Sequence, residues 1–484
     1  MSHPQSPHAN PSDDKPRVAL DNVSVVSDQD TACGLESLRS GIEPICKGIA
    51  RQSELPLADK NREKLPGLDA LRGLAALGVV LLHCCVPYMQ PVVPGLAWSV
   101  FDHPHWLASQ CFWFIEIFIM PVFLVLAGYF AWLSLKRGDI KRLVRSRARR
   151  LLVPLGFGVM VILPADLYIW LTGWVADGQI ALRKMQSLKF TDGVDQDLWG
   201  LSHLWFLEYL FLYVLVLGIV FAICRRLPQI SRVFRSPLTC CSILFIAASC
   251  VLVVCPEVVW GFQHRFYPVP SKWFYSGAFF ALGVSLASFD TEMRWLAKTF
   301  LRHSGYAVAM VIPAMLLGQW HLRGGDHDLA SMMLALTTTA SASLITVALL
   351  GAAASVRKPL SPSWRYLAAA SFWIYLVHHP ILGLMQIDMK WLFPELSSLI
   401  KVVIGFAGSV TLSLVTYEVW VRKTWLGRVL GFNYELNHAA ALEQQPDERR
   451  LPDNDLQILS GSGRNVSTLE PVNLSTRRSD RRAA

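Results

Sequence analysis

Residues 68–83 read LDALRGLAALGVVLLH. Apart from Asp69, Arg72 and His83 the stretch is apolar, and the run continues to Val86 before meeting Pro87. At about 1.5 Å per residue a helix of this length crosses most of a hydrocarbon layer roughly 30 Å thick. An ionisable side chain inside such a segment is expensive and needs a reason. Arg72 and His83 are eleven residues apart, so at 100° per residue they return to within about 20° of one face, separated by about 16 Å. One stripe of one helix thus carries a guanidinium near one boundary and an imidazole in the opposite half.

The rest of the chain repeats this type of segment. Of 484 residues, 53% are hydrophobic and only 17% charged, against about 25% charged in soluble domains. That much apolar surface calls for a bilayer as solvent. The expected fold is an all-α polytopic membrane protein of about ten transmembrane helices. The spans fall near 68–89, 112–134, 151–172, 204–223, 239–257, 273–289, 304–319, 331–353, 366–387 and 398–421. A short surface helix is expected in the long loop 173–203. Residues 1–64 and 431–484 are polar and read as unstructured tails around a membrane domain at 65–430. No cleavable signal peptide is expected at the start.

The net charge of +9 would suggest a nucleic-acid partner in a soluble domain. Here the basic residues flank apolar spans, so no nucleic acid is expected. Counted over alternate loops, Lys60, Arg62, Lys64, the run Lys136 to Arg150, Arg294, Lys298, Arg302, Arg357, Lys358, Arg365, Arg422 and Lys423 share one side. That asymmetry predicts both termini in the cytoplasm and a multi-pass protein of the inner (cell) membrane. The ten cysteines are scattered, without CxxC or Cys/His ligand spacing. Neither disulfides, nor a metal, nor a bound cofactor is expected.

Several other spans carry polar groups at the depth of His83. The second brings Glu116. The fourth brings His203 and Glu208, and the ninth brings His378 and His379, somewhat deeper. Several histidines and two carboxylates in one bilayer layer point to a polar cavity. On the cytoplasmic side, Arg142, Arg145 and Arg149 share a helical face by spacings of three and four, with Arg150 beside them. Together with Arg72 they suit a polyphosphate anion.

These same segments resemble the membrane-bound acyltransferase 3 family. The pattern comprises LPGLDALRGLAA (65–76), with Arg72 and His83 matching an Arg-x10-His motif, and FLVLAGYF (123–130), where Ala127 stands in the usual place of serine. RRLLVP (149–154), HLWFL (203–207) and SFWIYLVHHP (371–380) complete it in order. With FYPVPSKWFYSGAFFALG (266–283) the chain is similar to the branch that succinylates osmoregulated periplasmic glucans. The resemblance implies transfer of an acyl group, acetyl or succinyl, from cytoplasmic acyl-CoA as donor substrate to a hydroxyl of a polysaccharide, glucan or lipid-linked acceptor on the outer face. His83 is then the expected general base, with Glu116 or Glu208 orienting it. Arg72, Arg142, Arg145, Arg149 and Arg150 are the expected donor-binding cations. His203, Trp205, Glu208, His378 and His379 are expected to line the acceptor cavity. A secondary transporter of an anion or sugar is the alternative. It would ordinarily show two similar halves, and no repeat is visible.

Overall fold

The computed structural model describes residues 65–190, 197–226, 236–325 and 327–431, and every regular element among them is helical. The two terminal segments lie outside these residues, Gly431 apart. In chain order the long helices are α1 (Pro66–Cys85), α2 (Trp106–Arg137) and α3 (Ile140–Phe157). The last runs through a π turn, Gly158–Ile162, into α4 (Leu163–Ala176). Then come α5 (Trp205–Arg226), α6 (Pro237–Val254), α7 (Pro270–Phe289), α8 (Arg294–Leu322), α9 (Asp328–Ser355), α10 (Pro362–Leu392) and α11 (Ser398–Thr416), with a second π turn at Tyr417–Val421.

Among the described residues nine segments are long and apolar enough to cross a membrane, α3 and α4 counting as one. The sixth expected span, 273–289, is present as α7, a helix of 20 residues, but it falls short on composition. Its polar side chains are tolerable because α7 meets protein on much of its surface. Lys272, Tyr275, Ser276, Phe279 and Phe280 are buried, and α7 packs against α2 and α6. A helix enclosed by neighbours needs no uniformly apolar surface.

Two helices begin earlier than the apolar pattern suggested. The third span starts at Ile140, because Lys and Arg are good helix formers and nothing breaks the chain between Asp139 and Pro154. The seventh starts at Arg294 for the same reason. The loop after α4 holds one helical turn, Lys184–Ser187.

The α1 helix is central, packed by α2, α9, α10 and α11. Close helix crossing elsewhere rests on small residues. A Cβ on Gly128 of α2 would lie 2.0 Å from the Phe280 carbonyl oxygen of α7, and one on Gly283 would lie 2.1 Å from that of Val125. This reciprocal contact, which only glycine permits, holds α2 against α7 at backbone distance.

Candidate functional site

His83 sits on the last turn of α1, half-buried, and faces α10. The adjacent His378 and His379 of α10 project about 100° apart. Both can therefore converge on His83 from different sides, with ring centroids 5.1 and 5.0 Å away. A 3-10 turn, Ser202–Leu204, leads into α5 and delivers His203, whose ring stacks on His379 at 4.4 Å. All three of these partners are buried.

The fifth member comes from α4. Asp166 is buried, and its Oδ2 lies 3.0 Å from His379 Nδ1 and 3.8 Å from His203 Nδ1. The π turn Gly158–Ile162 and Pro164 immediately precede it. Pro164 has no N–H for the carbonyl four residues back, so the helix is rewound just before the carboxylate. Such π bulges recur at functional sites.

Hydrogen-bond partners assign the ring protons, since carbonyls only accept. His83 Nδ1–H donates to the Val79 carbonyl at 2.8 Å. Its Nε2 lone pair is thereby left for a ligand. His378 Nδ1–H donates to the carbonyls of Tyr375 (2.8 Å) and Ile374 (3.1 Å). The His378 Nε2 lone pair faces His83 Nδ1 at 3.3 Å. His203 Nε2–H donates to the Leu376 carbonyl at 3.3 Å, so its Nδ1 lone pair is the one directed at Asp166.

A loop between α1 and α2 forms one wall. Trp98 stacks on His83 with centroids 5.6 Å apart and planes 15° apart. Trp98 Nε1–H donates to Gln386 Oε1 at 2.7 Å, and Gln386 Nε2 donates to the His83 carbonyl at 3.2 Å. The loop is fixed from several directions. Trp174 and Trp170 donate to the carbonyls of Trp98 (2.8 Å) and Ala97 (3.0 Å). Asp102 forms a buried ion pair with Lys401 of α11 at 2.7 Å. A buried hydrogen-bonded network of this type rigidifies what it encloses.

A cavity of about 260 Å³ reaches the cluster from the side of Asp166 and His379. Its lining includes Trp170, Ser202, Phe262 and His264. Burial lowers the His264 imidazole below its usual range, so it stays neutral. Its Nδ1 accepts from the Ser202 N–H at 3.2 Å and its Nε2–H donates to the Asp197 carbonyl at 3.0 Å, which closes the rim.

Other expected site residues lie elsewhere. Glu116 does not partner His83; its electrostatic neighbours are Lys272 and Tyr275. Trp205 lies under the same lysine, with Lys272 Nζ 3.8 Å from its ring centroid and donating to the Gln263 carbonyl at 2.8 Å. Glu208 is half-buried, its electrostatic neighbour being Tyr209. The single outer polar layer expected from depth is therefore two groupings, because helices at equal depth point their residues in different directions. At the other end of α1, Arg72 donates to the Ala368 carbonyl of α10 at 2.9 Å and lies 3.6 Å from Asp69. Between Arg72 and His83, Ala76 and Val79 are packed and buried. Arg142, Arg145, Arg149 and Arg150 are exposed on α3, which packs mainly on α5.

Asp166, Trp98 and Gln386 join the site without having been expected from the sequence. Asp166 had a signal: it is a carboxylate inside the third apolar span, and the rule that singled out Arg72 applies to it equally. Trp98 sits in a loop and Gln386 is one polar residue on a helix end, and neither carries a pattern.

A family model described as an acyltransferase domain, that of the acyltransferase 3 family, covers residues 65–418. No curated protein and no solved structure matches the chain.

Proposed function

The chain belongs to the acyltransferase 3 family, as a membrane acyltransferase of groups other than amino-acyl groups, and we propose that it moves an acetyl or succinyl group from cytoplasmic acyl-CoA to a hydroxyl of an extracytoplasmic glycan or lipid-linked acceptor. His83 carries the proposal. It is the cluster histidine that is half-buried rather than buried, and its Nε2 lone pair is left open by the bond from Nδ1 to Val79.

In this reading His83 Nε2 takes the proton from the acceptor hydroxyl as the oxygen attacks the thioester carbonyl. The resulting imidazolium keeps its Nδ1–H toward two acceptors, the Val79 carbonyl and the His378 Nε2. Trp98 and the Gln386 clamp hold the ring plane, so the base is positioned before substrate arrives. Collapse of the tetrahedral intermediate breaks the C–S bond and leaves the ester, and the departing CoA thiolate takes the proton from the His83 imidazolium to leave as thiol. Cys84 and Cys85 are buried, which favours direct transfer over a thioester on the enzyme.

The donor would enter from the Arg72 end. Arg72 and His83 both face α10, and a helix places them about 16 Å apart, the reach of a pantetheine arm; with Ala76 and Val79 buried between them, the α1–α10 seam would part to admit it. The exposed arginines of α3 would gather the polyphosphate at the cytoplasmic surface. Both termini are then cytoplasmic, and the cavity beside His379 and Asp166 would admit the acceptor. Membranes containing the protein should transfer label from radioactive acetyl-CoA or succinyl-CoA to an acceptor. His83→Ala should abolish that transfer while insertion and expression persist. Undiminished transfer by His83→Ala would remove the base assignment.

A further inference from the structure

Asp166, His203 and His379 present three ligand atoms that all lie within 4.8 Å of one another. We propose that they form a binding site for a divalent transition-metal ion of the zinc class, with its fourth position open to the cavity. Three observations carry this beyond mere proximity.

The first is the direction of the lone pairs. The His203 Nε2–H is committed to the Leu376 carbonyl, so its Nδ1 lone pair faces the Asp166 carboxylate, another lone-pair bearer. Two such groups 3.8 Å apart are too far for a hydrogen bond. Asp166 Oδ2 accepts from His379 Nδ1 at 3.0 Å, and a cation between the three groups would replace that proton and meet the His203 lone pair as well. A histidine whose second nitrogen donates to a main-chain carbonyl is the ordinary arrangement around a bound metal, because it fixes both tautomer and ring plane.

The second is unmet bonding capacity. Asp166 Oδ1 and His203 Nδ1 are buried and make no hydrogen bond among the described residues. Both residues are only 5% exposed. A buried polar atom left without a partner is costly, and a cation held between these side chains would offset that cost for both.

The third is spacing. Two ligand atoms on a tetrahedral zinc, each about 2.0–2.1 Å from it, stand about 3.3–3.4 Å apart. The distances from Asp166 Oδ2 to His379 Nδ1 and His203 Nδ1, 3.0 and 3.8 Å, lie on either side of that value, and the three ligand atoms, all within 4.8 Å, would draw together on binding the ion. Two imidazoles and one carboxylate suit zinc better than calcium or magnesium, which prefer all-oxygen shells. Asp166 and His379 both line the cavity, so the vacant coordination position would face solvent or substrate. Three protein ligands plus one open position is the arrangement of a reactive rather than a purely structural zinc. Sequence spacing hides this set, because its members come from α4, the turn before α5, and α10.

The test is metal binding by the full-length protein, purified in detergent without a polyhistidine tag, stripped with chelator and equilibrated with zinc ions alone. The wild type should retain one zinc per chain after removal of weakly bound metal. Cobalt in its place should give the intense visible absorption of a tetrahedral site. Asp166→Asn and His379→Ala should each lower zinc affinity by more than the roughly 10–100-fold typical of losing a supporting group. His83→Ala should bind zinc as the wild type does, even where acyl transfer is lost, so failure of the metal site and failure of the base assignment are separate results. A wild type that retains no zinc, or an Asp166→Asn variant that retains it with unchanged affinity, overturns the proposal. Because the wild-type measurement alone can do so, a variant that fails to fold does not shield it.

Discussion

The two ends of α1 are built on different plans. At the His83 end, residues from α1, α4, α10, the turn before α5 and the loop after α1 meet within contact distance, mostly buried and tied to main-chain carbonyls. At the Arg72 end the cation holds one carbonyl of α10, and the remaining positive charge lies exposed along α3. Proton transfer depends on distances of about 3 Å and fixed ring planes, which packing must supply. Gathering a polyanion needs only charge density near the surface, which exposed side chains supply.

Variants at the two ends should therefore fail differently. The largest effect is expected for His83→Ala, a fall in turnover of about 10²–10⁴-fold, the usual worth of a general base. Initial rates at saturating donor would measure it, and a loss below tenfold would erase the contrast. Arg72→Ala comes next, with an expected rise in KM for acyl-CoA of about tenfold, the scale of one charged hydrogen bond, at little cost in kcat. A loss in kcat with KM unchanged would place Arg72 in the structural frame instead of the donor path. Trp98→Phe keeps the stacked ring but deletes the bond to Gln386. It should lower kcat about fivefold, a little less than one buried hydrogen bond at full value. Smallest is the pair Arg142→Ala with Arg145→Ala. Exposed charges are weak and screened, so KM should rise about twofold at low salt and not at all at high ionic strength. A large effect that survives salt would show that these arginines line a closed donor pocket.

Much of the architecture was legible because bilayer thickness and hydropathy act on each segment separately. The helices lie where apolar runs of adequate length predicted them, α7 included as a helix, although its composition reflects protein neighbours more than lipid. The convergence of His83, His203, His378 and His379 was legible in outline, since depth in the membrane follows from position along a span. Azimuth does not follow in that way. Glu116 and Trp205 share the depth of the histidines yet turn toward Lys272. The position of Asp166 depends on a π turn that no propensity marks. Trp98 reaches His83 only because a loop is folded back by hydrogen bonds to α4 and an ion pair with α11, contacts between residues far apart in sequence.

The sidedness of the reaction bears most directly on the division of labour along α1. Purified protein would be reconstituted into sealed vesicles in one known orientation, with radiolabelled acyl-CoA supplied to one face and a hydroxyl acceptor enclosed on the other. Acylated product is expected when the donor meets the Arg72 face and the acceptor meets the His83 face, and no product in the reverse arrangement. Equal transfer from either arrangement, or transfer only when the donor is added at the His83 face, would contradict a donor path running along α1 from guanidinium to imidazole.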